Sequence, residues 1–240
     1  MIAVLPFLGS FSGFVKSAVA LAGILKVPVR FLALKRFFAE RPQKRRHYET
    51  LIEEESRRSR VLGEIRECQD VFDGITSERL SGGHWTAIAK EDPWFSTKDF
   101  FEKIPGSIAV IPEVFKGEYR RVLLTVSGGA IDERVLEVAR ILGENGRCQL
   151  GILVLGTASD SAMKKTQARV KRFFEFHQLK AKSAVLPGYA KDAVLRACES
   201  GCADLLVLGG VAGVETEDFR SRVIAQAIVG GAECPVLIVK

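Results

Sequence analysis

The chain is poor in the groups from which most enzymes and metal sites are built. Its three histidines, His47, His84 and His177, are scattered and belong to no catalytic set. No HExxH, no Ser/His/Asp arrangement and no Walker-type GxxxxGK[ST] stretch is present. Zinc hydrolysis, triad hydrolysis and P-loop phosphoryl transfer therefore have no residues to run on. The five cysteines, Cys68, Cys148, Cys198, Cys202 and Cys234, contain no CxxC pair. Cys198 and Cys202 are four apart on an expected helix, but no nearby histidine completes a zinc set. All five are expected to be buried, small apolar residues in a reducing cytoplasm.

Long apolar runs and charge of a single sign are lacking too. "MIAVLPFLGSFSGFVKSAVALAGIL" is almost uncharged, yet Pro6, Gly9, Ser10, Ser12, Gly13 and Lys16 interrupt it. A membrane span wants about 20 unbroken apolar residues. A signal peptide wants a cation ahead of its apolar stretch, and here the first cation is Lys16. The expectation is a buried strand running into a buried helix, in a cytoplasmic protein without membrane insertion. Lys and Arg number 35 against 29 Asp and Glu, a net charge of +6, and the signs interleave as in "RRHYETLIEEESRRSR". That pattern predicts a solvated helix face in preference to a nucleic-acid or anionic-membrane contact.

What is present is alternation. From residue 120 onward, apolar strands ("RRVLLTV", "QLGILVLG", "KSAVLPG", "ADLLVLGG", "CPVLIVK") alternate with amphipathic helices. In the first of these helices Ile131, Val135, Val138, Ile141 and Leu142 share a face, and Ser159 or Asp160 opens the second. Strands apolar throughout, separated by helices, indicate an α/β fold with a parallel sheet covered on both faces. The first half repeats the plan through "IAVLPFLGS", "FSGFVKSAVALAGILK", "VPVRFLAL" and "GSIAVIPE". A long charged helix over 45–67 and a short strand near "QDVFDGIT" (69–76) are expected between them. "HWTAIAKE" is the expected fourth strand, and no clear third helix is visible, so the first copy reads as eroded. Two tandem units follow, 1–116 and 117–240. His84-Trp85 and Trp94-Phe95 are read as core packing or edge cover in preference to a ligand pocket.

"LLTVSGGAIDE" (123–133) is a strand, a glycine turn and a helix start, the local geometry that cradles phosphate. It departs from the SGGxD-Ser/Thr motif of PP-loop pyrophosphatases: Asp132 comes late and Glu133 stands where a hydroxyl would help. Both acids suit the positive end of a helix as plain stabilisers.

Through "YRRVLLTVSGG", "ADLLVLGG", "AECPVLIVK" and the order of elements, the chain resembles the tandem form of the universal stress protein family. The first unit joins through "AVLPFLGS", "VALAGILKVPVRFLAL" and "SIAVIPE". The resemblance implies, for each unit, a parallel five-stranded sheet flanked by helices, of the adenine-nucleotide alpha-hydrolase type. It implies a non-enzymatic regulatory role. It places ligand contacts at Thr125, Val126, Ser127, Val154, Leu208, Gly209, Gly210, Ala212, Arg222 and Val223, with ATP or another adenine nucleotide as the ligand class. The family's Asp position falls on Ser127 in the second unit and on Leu8 in the first. Its second loop glycine falls on Ala212, and its Gly-Ser pair on Arg222-Val223. Glu215, Glu217 and Asp218 in the same loop would repel a polyphosphate. The reading is a stress-type regulator with a degraded nucleotide pocket. The alternatives are an adenine-nucleotide sensor working through 117–240, and a module acting in trans on a transporter or kinase through the charged helix 45–67. The resemblance further implies pairing of the terminal strands 108–112 and 236–240, and admits a homodimer.

Overall fold

The computed structural model describes residues 1–6, 12–80, 85–90, 104, 106–112, 115, 118–127, 131, 133–156, 159–187, 191–199, 201–209 and 219–239. The chain forms two compact units, Met1–Glu118 and Tyr119–Lys240. Each is an α/β unit built on a parallel sheet.

The first unit runs β1 (Ile2–Val4), α1 (Ser12–Leu25), β2 (Val29–Leu34), α2 (Lys35–Glu40), α3 (Pro42–Ser59), β3 (Gly63–Cys68), α4 (Val71–Leu80), β4 (Trp85–Ala89) and β5 (Ser107–Ile111). Its strands lie in the order β3-β2-β1-β4-β5, with every neighbouring pair parallel. The uncharged N-terminus becomes β1, a central strand, because a parallel sheet covered on both faces leaves no solvated side. α1 buries Phe14, Val15, Ala18, Val19, Leu21 and Ala22 and packs against α3. No helix among the described residues is long and apolar enough to cross a membrane. α3 buries Tyr48, Leu51 and Ile52, while Arg45–Glu49 and Arg57–Glu53 pair along its solvent face one turn apart.

Two expectations for this unit are corrected. The charged helix stops at Ser59 rather than at 67, and after a turn at 60–62 the chain enters β3. Arg60 takes the left-handed conformation at φ 55°, and the N–H of Val61 closes the turn on Ser56 O at 3.1 Å. The second correction concerns 69–76, expected as a strand. Asp70 Oδ1 accepts from the N–H groups of Phe72 (2.8 Å) and Asp73 (3.1 Å), an N-terminal cap, and α4 follows. α4 supplies the third helix whose signal was not seen in sequence. β4 and β5 stand where "HWTAIAKE" and "GSIAVIPE" put them, so the described residues include five strands of this unit. Trp85 is half-buried at the start of β4; His84, Trp94 and Phe95 lie outside the described residues.

The second unit runs β6 (Arg121–Ser127), α5 (Glu133–Gly146), β7 (Gln149–Gly156), α6 (Asp160–Phe176), β8 (Ala181–Pro187), α7 (Lys191–Glu199), β9 (Leu205–Leu208), α8 (Phe219–Gly231) and β10 (Val236–Ile238). Its strand order is β10-β9-β6-β7-β8, again with every neighbouring pair parallel. α5 buries Leu136 together with Val135, Val138, Ala139 and Leu142, the last four forming the i, i+3, i+4, i+7 stripe of a core-facing helix. Ile131 and Ile141 are only half-buried. Ser159 caps α6 by accepting from the Ala162 N–H. α7 ends in a glycine-closed turn: Gly201, at φ 66°, donates to Cys198 O and Cys202 donates to Ala197 O.

Asp204 ties the start of β9 to the start of β6. It accepts from the main-chain N–H of Arg121 at 2.8 Å and from its guanidinium at 2.6 Å and 3.1 Å. Burial pushes the Asp204 carboxyl up, but these donors outweigh burial and hold it below the usual carboxylate range.

The cysteines are less uniform than expected. Cys198 and Cys234 are buried, Cys68 and Cys148 half-buried, and Cys202 is exposed because it sits in the turn that closes α7.

Candidate functional site

In the second unit β6, β7 and β8 proceed in one direction and β9 and β10 return on the other side of β6. The order in which strands are added to the sheet thus reverses at β6, between β6 and β9. In open parallel sheets ligands sit in the crevice beyond the carboxyl ends of the strands at such a point. Ser127 ends β6 and Gly209 directly follows β9, so both backbones arrive there. The expected site residues from these strands are neighbours in register: Thr125 lies beside Leu208, and Val126 beside Val154.

The crevice floor is apolar and closely packed. Thr125, Val126, Val154 and Leu208 are all buried. The Thr125 hydroxyl is spent inside the sheet, donating to Val207 O at 3.3 Å. Leu208 O accepts from the Val239 N–H at 3.0 Å.

Gly209 carries the most informative geometry. A Cβ built there would lie 2.3 Å from Val135 Cγ2 and 2.9 Å from Val135 Cγ1. The absence of a side chain at 209 lets the end of β9 press against α5. Val223 in α8 is 43% exposed. Arg222 belongs to the same helix. Gly210, Ala212, Glu215, Glu217 and Asp218 lie outside the described residues, as do Leu8, Gly128, Gly129 and Asp132. At the mouth, Glu133 begins α5 and pairs with Arg169 of α6 at 2.9 Å, so the acid at this helix start already has a cation.

Val135 stands 74 positions before Gly209 on another element, and no local pattern in the sequence announces their contact. Among the described residues no group of three or more His, Cys, Asp or Glu could hold a metal ion.

No family model and no curated protein matches the sequence. Solved structures do match over the whole chain. A universal stress protein from Archaeoglobus fulgidus aligns with a TM-score of 0.66 at 15% identity, covering 100% of this chain and 96% of that one. A putative universal stress protein from Pseudomonas aeruginosa aligns with a TM-score of 0.67 at 16% identity, covering 100% and 92%. The cytoplasmic domain of a prokaryotic cation chloride cotransporter aligns with a TM-score of 0.65 at 10% identity, covering 99% and 93%. At such identities the likeness speaks for the fold. The chain resembles universal stress proteins along its full length and has their α/β fold.

Proposed function

We propose that the protein is a non-enzymatic regulator of the universal stress type, with units 1–116 and 117–240 and a nucleotide pocket that has lost its function. The observation that carries this reading is Gly209. In a nucleotide loop, glycine is needed so that backbone can approach phosphate. Here the space a Cβ would occupy is filled by Val135, which accounts for the glycine without any ligand. The Thr125 hydroxyl, the described polar side chain of the expected set, is likewise engaged within the sheet.

Thermal melting with and without millimolar Mg-ATP, ADP or AMP tests this. A ligand at 100 times its Kd stabilises by about 2.7 kcal/mol, which moves the midpoint by several degrees in a chain of this size. The expected result is no shift. A clear shift with any of the three overturns the degraded-pocket reading in favour of an adenine-nucleotide sensor. In that event Arg222→Gly separates an Arg that obstructs, whose removal tightens binding, from one that meets phosphate, whose removal weakens it.

A second reading is a module acting in trans on a membrane transporter. It is supported by the fold shared with a cotransporter's cytoplasmic domain. The solvent face of α3, with Glu53, Glu54, Arg57 and Arg58 exposed, is the surface it points to. Purified protein should then co-sediment with liposomes bearing a reconstituted cation chloride cotransporter, and Glu54→Lys should weaken that. Recovery equal to that with empty liposomes counts against the reading.

A further inference from the structure

The positive charge of the second unit is concentrated on one element. Residues 160–182, which are α6 and the start of β8, hold seven Lys and Arg against Asp160 and Glu175 alone. The whole of 119–240 holds seventeen against thirteen, so the rest of the unit is slightly acidic. The charge is also one-sided. α6 turns Met163, Thr166, Val170 and Phe174 into the core. Lys165, Arg169, Arg172 and Phe176 recur at i, i+4, i+7 and i+11, a single exposed stripe turned away from that core.

Phe176 is the unusual member. It ends α6 with its side chain in water, 83% exposed, while its neighbour Phe174 is 1% exposed. Its ring stands edge-on to His177 with centroids 5.1 Å apart, and His177 in turn meets Phe173 at 4.7 Å, so it has a support on one side and no cover. Arg169 pairs with Glu133 at 2.9 Å, but both side chains are largely exposed, and such a pair is worth little in water. Lys165 and Arg172 have no ion-pair partner among the described residues.

We infer that α6 docks the protein on an anionic lipid surface, with Lys165, Arg169 and Arg172 at the anionic head groups and Phe176 at the boundary with the acyl chains. An anionic leaflet attracts each nearby Lys or Arg, and an aromatic side chain on a basic helix settles at that boundary. The contact is peripheral and needs no spanning helix. Shape favours lipid over nucleic acid. The outward ridge of a helix is convex, which suits a flat bilayer, whereas single strands are held in grooves with successive stacking rings. Here one ring stands on a ridge, and the phosphates of a duplex would give it no apolar bed. The stripe lies outside the nucleotide crevice, and its test does not depend on the outcome there.

Flotation of the full chain with protein-free vesicles of phosphatidylcholine containing about 30% phosphatidylserine is the experiment. Binding is expected. It should be at least about tenfold weaker on phosphatidylcholine alone and should fall as salt rises, because the attraction decays within a Debye length. Phe176→Ser and, separately, Lys165→Gln with Arg172→Gln should each weaken binding by about tenfold at unchanged melting temperature, all three side chains being exposed. Lys16→Gln with Lys26→Gln removes the same charge from exposed positions of the first unit and should change binding by less than about twofold. The inference is overturned if anionic vesicles capture nothing at millimolar lipid, if neutral vesicles capture as much, if either α6 variant binds like the wild type, or if the Lys16 and Lys26 variant loses as much as they do. A single-stranded oligonucleotide bound through the same residues, without vesicle binding, overturns it too and assigns the stripe to nucleic acid.

Discussion

Val236→Asp should unfold the second unit at neutral pH, with no cooperative melting transition above room temperature for that unit. Val236 is 1% exposed in β10, where it lies beside Leu206 of β9, and its neighbours Leu237 and Ile238 are fully buried. The substitution removes an apolar side chain worth about 1.5–3 kcal/mol of burial. It also puts a carboxylate beside the fully buried Leu206, and an uncompensated buried charge costs about 3–5 kcal/mol. Together these approach the whole stability of an ordinary domain, about 5–15 kcal/mol. The pH dependence has a definite sign. Desolvation raises the folded-state pKa of the new carboxyl above its unfolded value of about 4. The protonated form is therefore the less costly one to bury, and the damage grows as pH rises through that range. Val236→Ala should lose about 2–3 kcal/mol and show no such pH dependence. Chemical denaturation of the three proteins at two pH values decides it. An aspartate variant as stable as the wild type would show that β10 lies outside the core.

The second unit was legible because its local signals agree with its tertiary role. "QLGILVLG" is β7 to the residue, Ser159 caps α6, and Val135, Val138 and Leu142 of the expected α5 face are buried. The first unit was harder for physical reasons. α3 ends at Arg60 in a left-handed turn normally given to glycine, so no glycine marks the stop. β3, "GEIREC", lies at the sheet edge and exposes Glu64, Arg66 and Glu67, so its charges read as more of the same helix. α4 begins with Val71 and Phe72, residues that favour strands, while the signal that decides the segment is the preceding cap, Asp70. At the crevice, sequence could name Thr125 and Gly209 as positions. It could not say that the Thr125 hydroxyl is taken by Val207 O, or that the space at Gly209 is taken by Val135.

Gly209→Ala should cost about 1–3 kcal/mol, the usual penalty for overpacking. In a chain of this size that lowers the melting temperature by about 2–4 °C for each kcal/mol. The new methyl would stand 2.3 Å from Val135 Cγ2 and 3.1 Å from Val135 Cβ. Valine in a helix has one strongly preferred χ1, and Val135 is fully buried in α5, so it cannot swing aside. Either α5 moves away from β9 or the strand end bends. Val135→Ala alone should also destabilise, through lost burial and the void it leaves. In combination the alanine at 209 occupies space that the valine has vacated. The double variant should be more stable than the sum of the single losses predicts, by about 1 kcal/mol or more. Strictly additive losses would mean that Val135 is not what demands glycine here. The same series separates the two accounts of the crevice. A glycine kept for phosphate approach gives a Gly209→Ala protein with unchanged melting but an altered response to Mg-ATP. A glycine kept for helix–strand packing gives the lowered melting temperature and the partial rescue, with or without nucleotide.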